Sequence, residues 1–174
     1  DKNNRAYDKL RNFCEVENVF SLLEFKHHNT TQAILHEMKY RNRPEIGIDL
    51  AQLIKFDLSD YDGIIPIPLH SKRLKTRGYN QVENFARTLA EIKQTNYFSD
   101  GLIRTKYNSS QVNEDKKHRL ENMKEAFEIN PNLKSGHYIL IDDVLTTGAT
   151  IASAIKKFNL SENFKISVIT IACA

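Results

Sequence analysis

The feature that most constrains this chain is one stretch, Tyr138–Thr150, which reads YILIDDVLTTGAT. Tyr138 to Ile141 are apolar enough for a buried strand, and two adjacent carboxylates, Asp142 and Asp143, stand where that strand is expected to end. A turn of small residues follows, Thr146, Thr147, Gly148, Ala149 and Thr150. Ile151, Ala154, Ile155 and Phe158 then recur at the spacing of a helix.

The N–H groups at a helix start have no partner inside the helix, and the macrodipole makes that end positive. Glycine and threonine there let the backbone approach closely and add donors, so a phosphate is well held. The carboxylates just upstream would repel that phosphate. They make sense if the ligand also carries diol hydroxyls, which donate to carboxylates, or a divalent metal, which carboxylates ligate. A phosphorylated sugar with adjacent free hydroxyls suits both halves. A lone DD or TTG would read as a solvated acidic turn before a Thr-capped helix. Agreement over the whole stretch weighs against that alternative.

Composition narrows the class. The 174 residues suit one domain, and 40% hydrophobic with 27% charged residues are globular values. A net charge of +3 is compatible with a phosphorylated ligand and does not by itself argue for nucleic acid. Cys14 and Cys173 lie at opposite ends with no CxxC, so no zinc ribbon or disulfide framework is encoded. Two such thiols fit a reducing compartment. The start, DKNNRAYDK, lacks the apolar core of a signal peptide, and the longest apolar run, Ile64–Leu69, is broken by prolines. A cytoplasmic location without membrane insertion is therefore expected. No G-x-x-x-x-G-K-[ST] occurs, and the six histidines are scattered without ligand spacing, which excludes a P-loop nucleotidase and a His-based metalloenzyme.

Residues 1–19 read as a polar lead-in with Tyr7, Leu10 and Cys14 on one face, and residues 20–174 as the domain proper. Val19–Phe25 is a strand candidate, and Thr30–Arg41 a helix capped by Thr30 and burying Ile34, Leu35 and Met38. Lys39, Arg41 and Arg43 read as a solvated helix end. Pro44 opens a second helix with Ile46, Leu50, Leu53 and Ile54 at helical spacing. Tyr61–Leu69 is a strand that should leave its sheet at Pro66 and Pro68. His70–Arg77 then reads as a loop whose cations, Lys72, Arg73, Lys75 and Arg77, repel one another unless an anion is near. Gly78 gives that loop freedom to turn, and Asn80 caps a helix burying Val82, Phe85, Ala86, Leu89 and Ala90. Leu102–Thr105, Ala126–Ile129 and Lys165–Ala172 complete the strands, with a polar loop over Lys106–Lys117. Strands alternating with helices from Tyr61 on predict a parallel α/β sheet, with ligands off the carboxyl ends of its strands. Asp142, the basic loop and the loop after Thr105 all belong to that edge.

Tyr138–Thr150 resembles the 5-phosphoribosyl 1-diphosphate (PRPP) loop of type I phosphoribosyltransferases. Further matches are PIPLH at 66–70, RGYNQ at 77–81, Lys39-Tyr40, LIRTKYNSSQ at 102–111, and Arg119, Asn122, Ala126 and Phe127 in the pattern R-x-x-N-x-x-x-A-F. Together they resemble the ComF-type competence family, a branch of the type I, amidophosphoribosyltransferase-like proteins, over residues 20–174. The resemblance implies a type I phosphoribosyltransferase-like fold: a mostly parallel central sheet flanked by helices, a small N-terminal hood and a flexible lid loop at Lys106–Lys117. It implies PRPP bound with Mg²⁺, the metal riding on the ligand near Asp142 and Asp143 with no direct protein ligand set. Asp142 and Asp143 would hold the ribose 2′- and 3′-hydroxyls, Thr146, Thr147, Gly148, Ala149 and Thr150 the 5′-phosphate, and Arg73, Arg77 and Gly78 the diphosphate. Arg104 and Lys106 would stabilise the departing charge while an unidentified nitrogen acceptor replaces diphosphate. Hypoxanthine-type members carry a carboxylate where Thr146 stands, and a threonine cannot take a proton at neutral pH, which disfavours a 6-oxopurine acceptor.

A second function class follows from the same resemblance. On it the chain is a non-catalytic competence component in which His70–Arg77 and Tyr79 contact single-stranded DNA, with a helicase-like partner and the PRPP loop retained as a ligand or regulatory site; a homodimer is an expected assembly on either reading. Two departures stand out. The family's N-terminal zinc ribbon has no cysteines here, so residues 1–19 occupy the place of a remnant after it, and Asn108 stands where threonine is usual.

Overall fold

The computed structural model describes residues 4–26, 28–41, 43–105, 127–161 and 163–174. The expected lid loop with Lys106, and Asn108, Arg119, Asn122 and Ala126, lie outside the described residues. In chain order the elements are α1 (Arg5–Arg11), β1 (Val19–Glu24), α2 (Thr30–Tyr40), α3 (Glu45–Ala51), β2 (Gly63–Pro66), α4 (Ser71–Arg77), α5 (Gln81–Lys93), β3 (Leu102–Arg104), β4 (Phe127–Ile129), β5 (Gly136–Leu145), α6 (Ala149–Asn159) and β6 (Phe164–Cys173).

The central sheet has the order β1-β6-β5-β2, and every pair in it is parallel. The inner strands are near-continuous apolar runs, as burial on both faces requires. One face carries Leu10, Leu140, Leu145, Ile155 and Phe158 beneath α1 and α6. The other carries Met38, Leu50, Phe85, Leu89, Ile139 and Ile141 beneath α2, α3 and α5. All five apolar positions expected on the inner face of α5 are buried.

Strand β2 lies at the sheet edge, where its prolines are tolerated. Ile67 N–H donates to Ile141 O at 2.8 Å, while Ile64 N–H donates outward to Asn96 O at 2.8 Å. By strand alternation Pro66 and Pro68 share the outward side of Ile64, so their missing donors leave the ladder to β5 intact.

Four expectations are corrected. Strand β5 does not stop at Ile141 but continues through both aspartates to Leu145, held by β6 in the register Asp142↔Thr170, Val144↔Ala172 and Leu145↔Cys173. The basic segment after Leu69 is a helix, α4, capped by the His70 ring accepting from Lys72 N–H at 3.1 Å and closed by Gly78 at φ 79°. Its residues are all exposed or half-exposed, so it has no apolar periodicity to betray it. Helix α2 is capped by Asn29, whose side chain accepts from Gln32 N–H at 3.0 Å, and not by Thr30. Finally, β3 stands outside the parallel sheet and pairs antiparallel with β4, Ile103 opposite Glu128.

Helix α1 enters the core. Asn4 caps it, its side chain accepting from Tyr7 N–H at 2.8 Å, and Ala6 and Leu10 are buried. Leu10 fills the space beside Gly148: a Cβ built on that glycine would lie 2.8 Å from Leu10 Cδ2. Leu10→Ala should therefore cost about 2–5 kcal/mol in urea unfolding, the range of a leucine deleted from a core. A loss under about 0.5 kcal/mol, typical of a surface position, would make α1 a dispensable lead-in.

Candidate ligand site at the carboxyl edge of the sheet

Beyond the bond from Ile67 to Ile141, β2 gives way to the turn into α4 while β5 runs on with β6 alone. The β2-facing side of β5 is thus freed from the ladder at Asp142 and Asp143. Asp143 is turned towards α2, where Lys39 meets it, and Asp142 lies within reach of the charges of both Lys39 and Arg104.

Lys39 acts on both carboxylates, and Arg104 adds its charge at Asp142. Asp143 Oδ2 lies 2.6 Å from Lys39 Nζ at the end of α2, with about a fifth of each side chain exposed, 19% and 21%. Asp142 Oδ1 accepts from the Asp143 backbone N–H at 2.8 Å. Burial of the Asp142 carboxyl, and then the charge of Asp143, push its pKa up to about 7 from an ordinary 3.8, against the downward pull of that N–H, Lys39 and Arg104. Arg104 at the end of β3 donates from Nη1 to Pro68 O at 3.2 Å, and its guanidinium lies 5.1 Å from the Phe127 ring centre. Burial and the nearby charge of Arg73 lower its pKa, and Asp142 raises it. The segments after β2, β3 and β5 are therefore in electrostatic contact.

The turn after β5 leads into α6 through Gly148, at φ 80° and buried, while Thr146 and Thr147 are exposed. Positive φ is the first demand for glycine there, and the closeness of Leu10 is the second. Ala152 N–H donates to Gly148 O at 2.8 Å, the start of the helical ladder. The N–H groups of Ala149, Thr150 and Ile151 ahead of it have no acceptor within the helix. Ala149 N–H lies 3.5 Å from Thr147 Oγ1, too long to satisfy it well. Lys9 Nζ donates to Thr146 O at 2.8 Å, so α1 brings a cation to this turn.

The structure gathers Asp142, Asp143, Arg104 and the Thr146–Thr150 turn at one edge, with Arg73 near enough to be felt by Arg104. Arg77 is committed elsewhere. Its Nη1 donates to Gln81 Oε1 at 2.7 Å, its Nη2 to Tyr40 Oη at 3.5 Å, and its guanidinium lies 5.3 Å from the Tyr40 ring centre. Gly78 is exposed, with open space where a side chain would begin. Lys39 and Lys9 are the cations that sequence reasoning missed. In the sequence Lys39 has the look of a solvated helix end, and the one pointer to it is its place in the Lys39-Tyr40 match. Lys9 left no signal, since its contact spans 137 residues.

Other chemistries find little support. Among the described residues no group of three or more His, Cys, Asp or Glu could hold a metal ion, and no helix is long and apolar enough to cross a membrane. Burial pushes the Cys14 thiol up to about 11 and raises that of Cys173, so neither is an activated nucleophile.

No protein-family model matches the chain. The DNA utilization protein YhgH of Escherichia coli O157:H7 is 29% identical over 128 residues, 68% of this chain and 56% of that protein. Competence protein F of Haemophilus influenzae is 28% identical over 144 residues, 74% of this chain and 63% of that protein. The chain thus spans somewhat over half the length of the curated relatives it matches. Among solved structures, the glutamine PRPP amidotransferase of Bacillus subtilis, determined with ADP and GMP, superposes on 78% of this chain and 30% of its own, with a TM-score of 0.51 and 16% identity. That likeness speaks for the fold. By sequence the chain is a relative of competence protein F and the DNA utilization proteins, and its architecture is a phosphoribosyltransferase-type α/β fold.

Proposed function

We propose that this chain binds PRPP as its magnesium complex and transfers the phosphoribosyl group to a nitrogen acceptor, in the service of DNA uptake or utilization. One observation carries the reading: two partly buried carboxylates lie on the strand that runs directly into a helix N-terminus whose first N–H groups have no acceptor within the helix, with a half-buried arginine beside the first of them. The ribose hydroxyls donate to Asp142 and Asp143. The 5′-phosphate takes the N–H groups of Ala149 and Thr150 and the hydroxyls of Thr146, Thr147 and Thr150. Arg104, with Arg73 behind it, faces the diphosphate. A guanidinium withdrawn from water stabilises developing charge more strongly than one in bulk solvent. Two carboxylates that, among the described residues, belong to no acidic group of three or more fit a metal that arrives with its ligand. Asp142 and Asp143 would hold it through water and the ligand's oxygens, and it would supply neutralising charge to the diphosphate. The names of the relatives support the link to DNA.

A second reading has its own observation. Helix α4 buries no residue, so Lys72, Arg73 and Lys75 face solvent as a basic ridge suited to single-stranded DNA, with a helicase-like partner in place of catalysis. If that ridge is the primary site, oligonucleotide affinity should fall with salt by a log–log slope of about −0.7 per phosphate neutralised, and PRPP should leave it unchanged. Weak oligonucleotide binding that PRPP abolishes would instead place both ligands at the carboxylates.

Replacing both Asp142 and Asp143 by asparagine should lower PRPP–Mg²⁺ affinity in calorimetry by about tenfold or more, as for lost charged hydrogen bonds. Equal affinity in the double variant and wild type would overturn the assignment.

The raised pKa of Asp142 gives a signed pH dependence. Its folded value, about 7, exceeds the ordinary 3.8, so the folded state holds the extra proton in between. Stability from this group is full below the ordinary value and is lost as pH rises through about 7. Asp142→Asn should match wild type in melting at pH 4 and exceed it at pH 8, by about 1–2 kcal/mol after discounting for partial exposure. PRPP affinity of the wild type should move the other way, weakening as pH falls below about 7 and the acceptor is protonated. A stability difference independent of pH would show that Asp142 titrates normally.

A further inference from the structure

The last turn of α2 touches both halves of the site through three consecutive residues. Met38 O accepts from the Tyr79 hydroxyl. The Tyr40 ring packs against the Arg77 guanidinium, 5.3 Å from its centre. Lys39, between them, places Nζ 2.6 Å from Asp143 Oδ2. The contacts of Met38 and Tyr40 fasten this turn to the segment Arg77–Tyr79, at the end of the basic helix. The ammonium of Lys39 is thereby held between that segment and the carboxylates of β5.

This ion pair differs from the chain's surface pairs. Arg5–Glu24, Arg11–Asp8 and Arg87–Glu83 leave 39% or more of each side chain exposed, against 21% and 19% for Lys39 and Asp143. Withdrawing two charges from water is costly, and such pairs are weak contributors to stability. A chain that keeps one beside a second carboxylate gains something other than stability from it. An ammonium has three donors, and Asp143 uses a single close one, so others remain for an anion on the same side.

We propose that Lys39 is a further ligand-binding residue: it screens Asp143 from an incoming anion and donates to the diphosphate of PRPP while the ribose hydroxyls take Asp142 and Asp143. This rests on the reading of the edge as a PRPP site. It assigns to α2 the role that Arg77, engaged with Gln81 and Tyr40, does not fill.

The test compares two ligands that differ in the diphosphate. PRPP–Mg²⁺ and ribose 5-phosphate are titrated into wild type, Lys39→Met and Lys39→Arg in a calorimeter. Lys39→Met should lose PRPP affinity by about tenfold or more and keep ribose 5-phosphate within about threefold, with Lys39→Arg recovering most of the loss, as expected for a charged donor. Undiminished PRPP affinity in Lys39→Met would overturn the proposal, as would equal loss of both ligands without rescue by arginine. Failure of the wild type to bind either ligand would instead overturn the reading of the site, and this inference with it. Should Lys39→Met not fold, wild type decides: inorganic pyrophosphate with Mg²⁺ should shift the Lys39 ammonium resonance in NMR, and an unmoved resonance would sink the proposal.

Discussion

The site depends on where β2 stops. Ile67 gives β5 its last N–H from that side, and the chain then turns through Pro68 towards the His70 cap of α4. Because Pro66 and Pro68 place their missing donors on the outer side, β2 can only be an edge strand, and nothing can be laddered beyond it at that end. Strand β5 has no such limit. Its further residues are held by β6 alone, so two acidic side chains can sit on a well-paired strand with one flank open. Without the early exit of β2, Asp142 and Asp143 would be ladder residues between two strands, and burial there would leave no room for a ligand.

The cations around the two carboxylates shape the electrostatics of the edge. Lys39 pairs with Asp143 from the helical side and also pulls on Asp142, to which Arg104 adds a smaller pull from the β3–β4 side. The two cations come from elements with no other reason to meet. Adjacent like charges would raise each other's energy in a poorly solvated place, and these partners keep that strain within bounds. What remains is visible at Asp142, whose burial outweighs the help it receives.

Much of this was legible in the sequence because apolar periodicity and turn chemistry are local. The β5–turn–α6 unit, the cap at Asn80 and the inner face of α5 all announce themselves within a few residues. The failures have equally physical causes. Aspartates read as a strand end because a charged pair in a ladder is rare, and only the neighbour β6 makes it tolerable here. Helix α4 has no buried face, so its cations read as loop. The β3–β4 pairing joins segments far apart in the chain, and short strands carry no signal of their partner. Lys39 and Lys9 act across distances of 104 and 137 residues, and a lysine near a helix end looks the same whether it faces water or a carboxylate.

The contact of α1 with the Gly148 turn has a thermodynamic consequence. Leu10 is fully buried against the glycine, and Lys9 holds the carbonyl of Thr146. A turn of threonines and glycine would otherwise sample many shapes, and each ordered residue forfeits about 1–2 kcal/mol of conformational freedom. Here that entropy is surrendered when the chain folds. On the proposed reading, capture of a phosphate can then proceed without waiting for the turn to organise itself. A helix remote in sequence thus sets the rigidity of this turn, and on the proposed reading looseness in α1 would surface as slower, weaker capture of the anion.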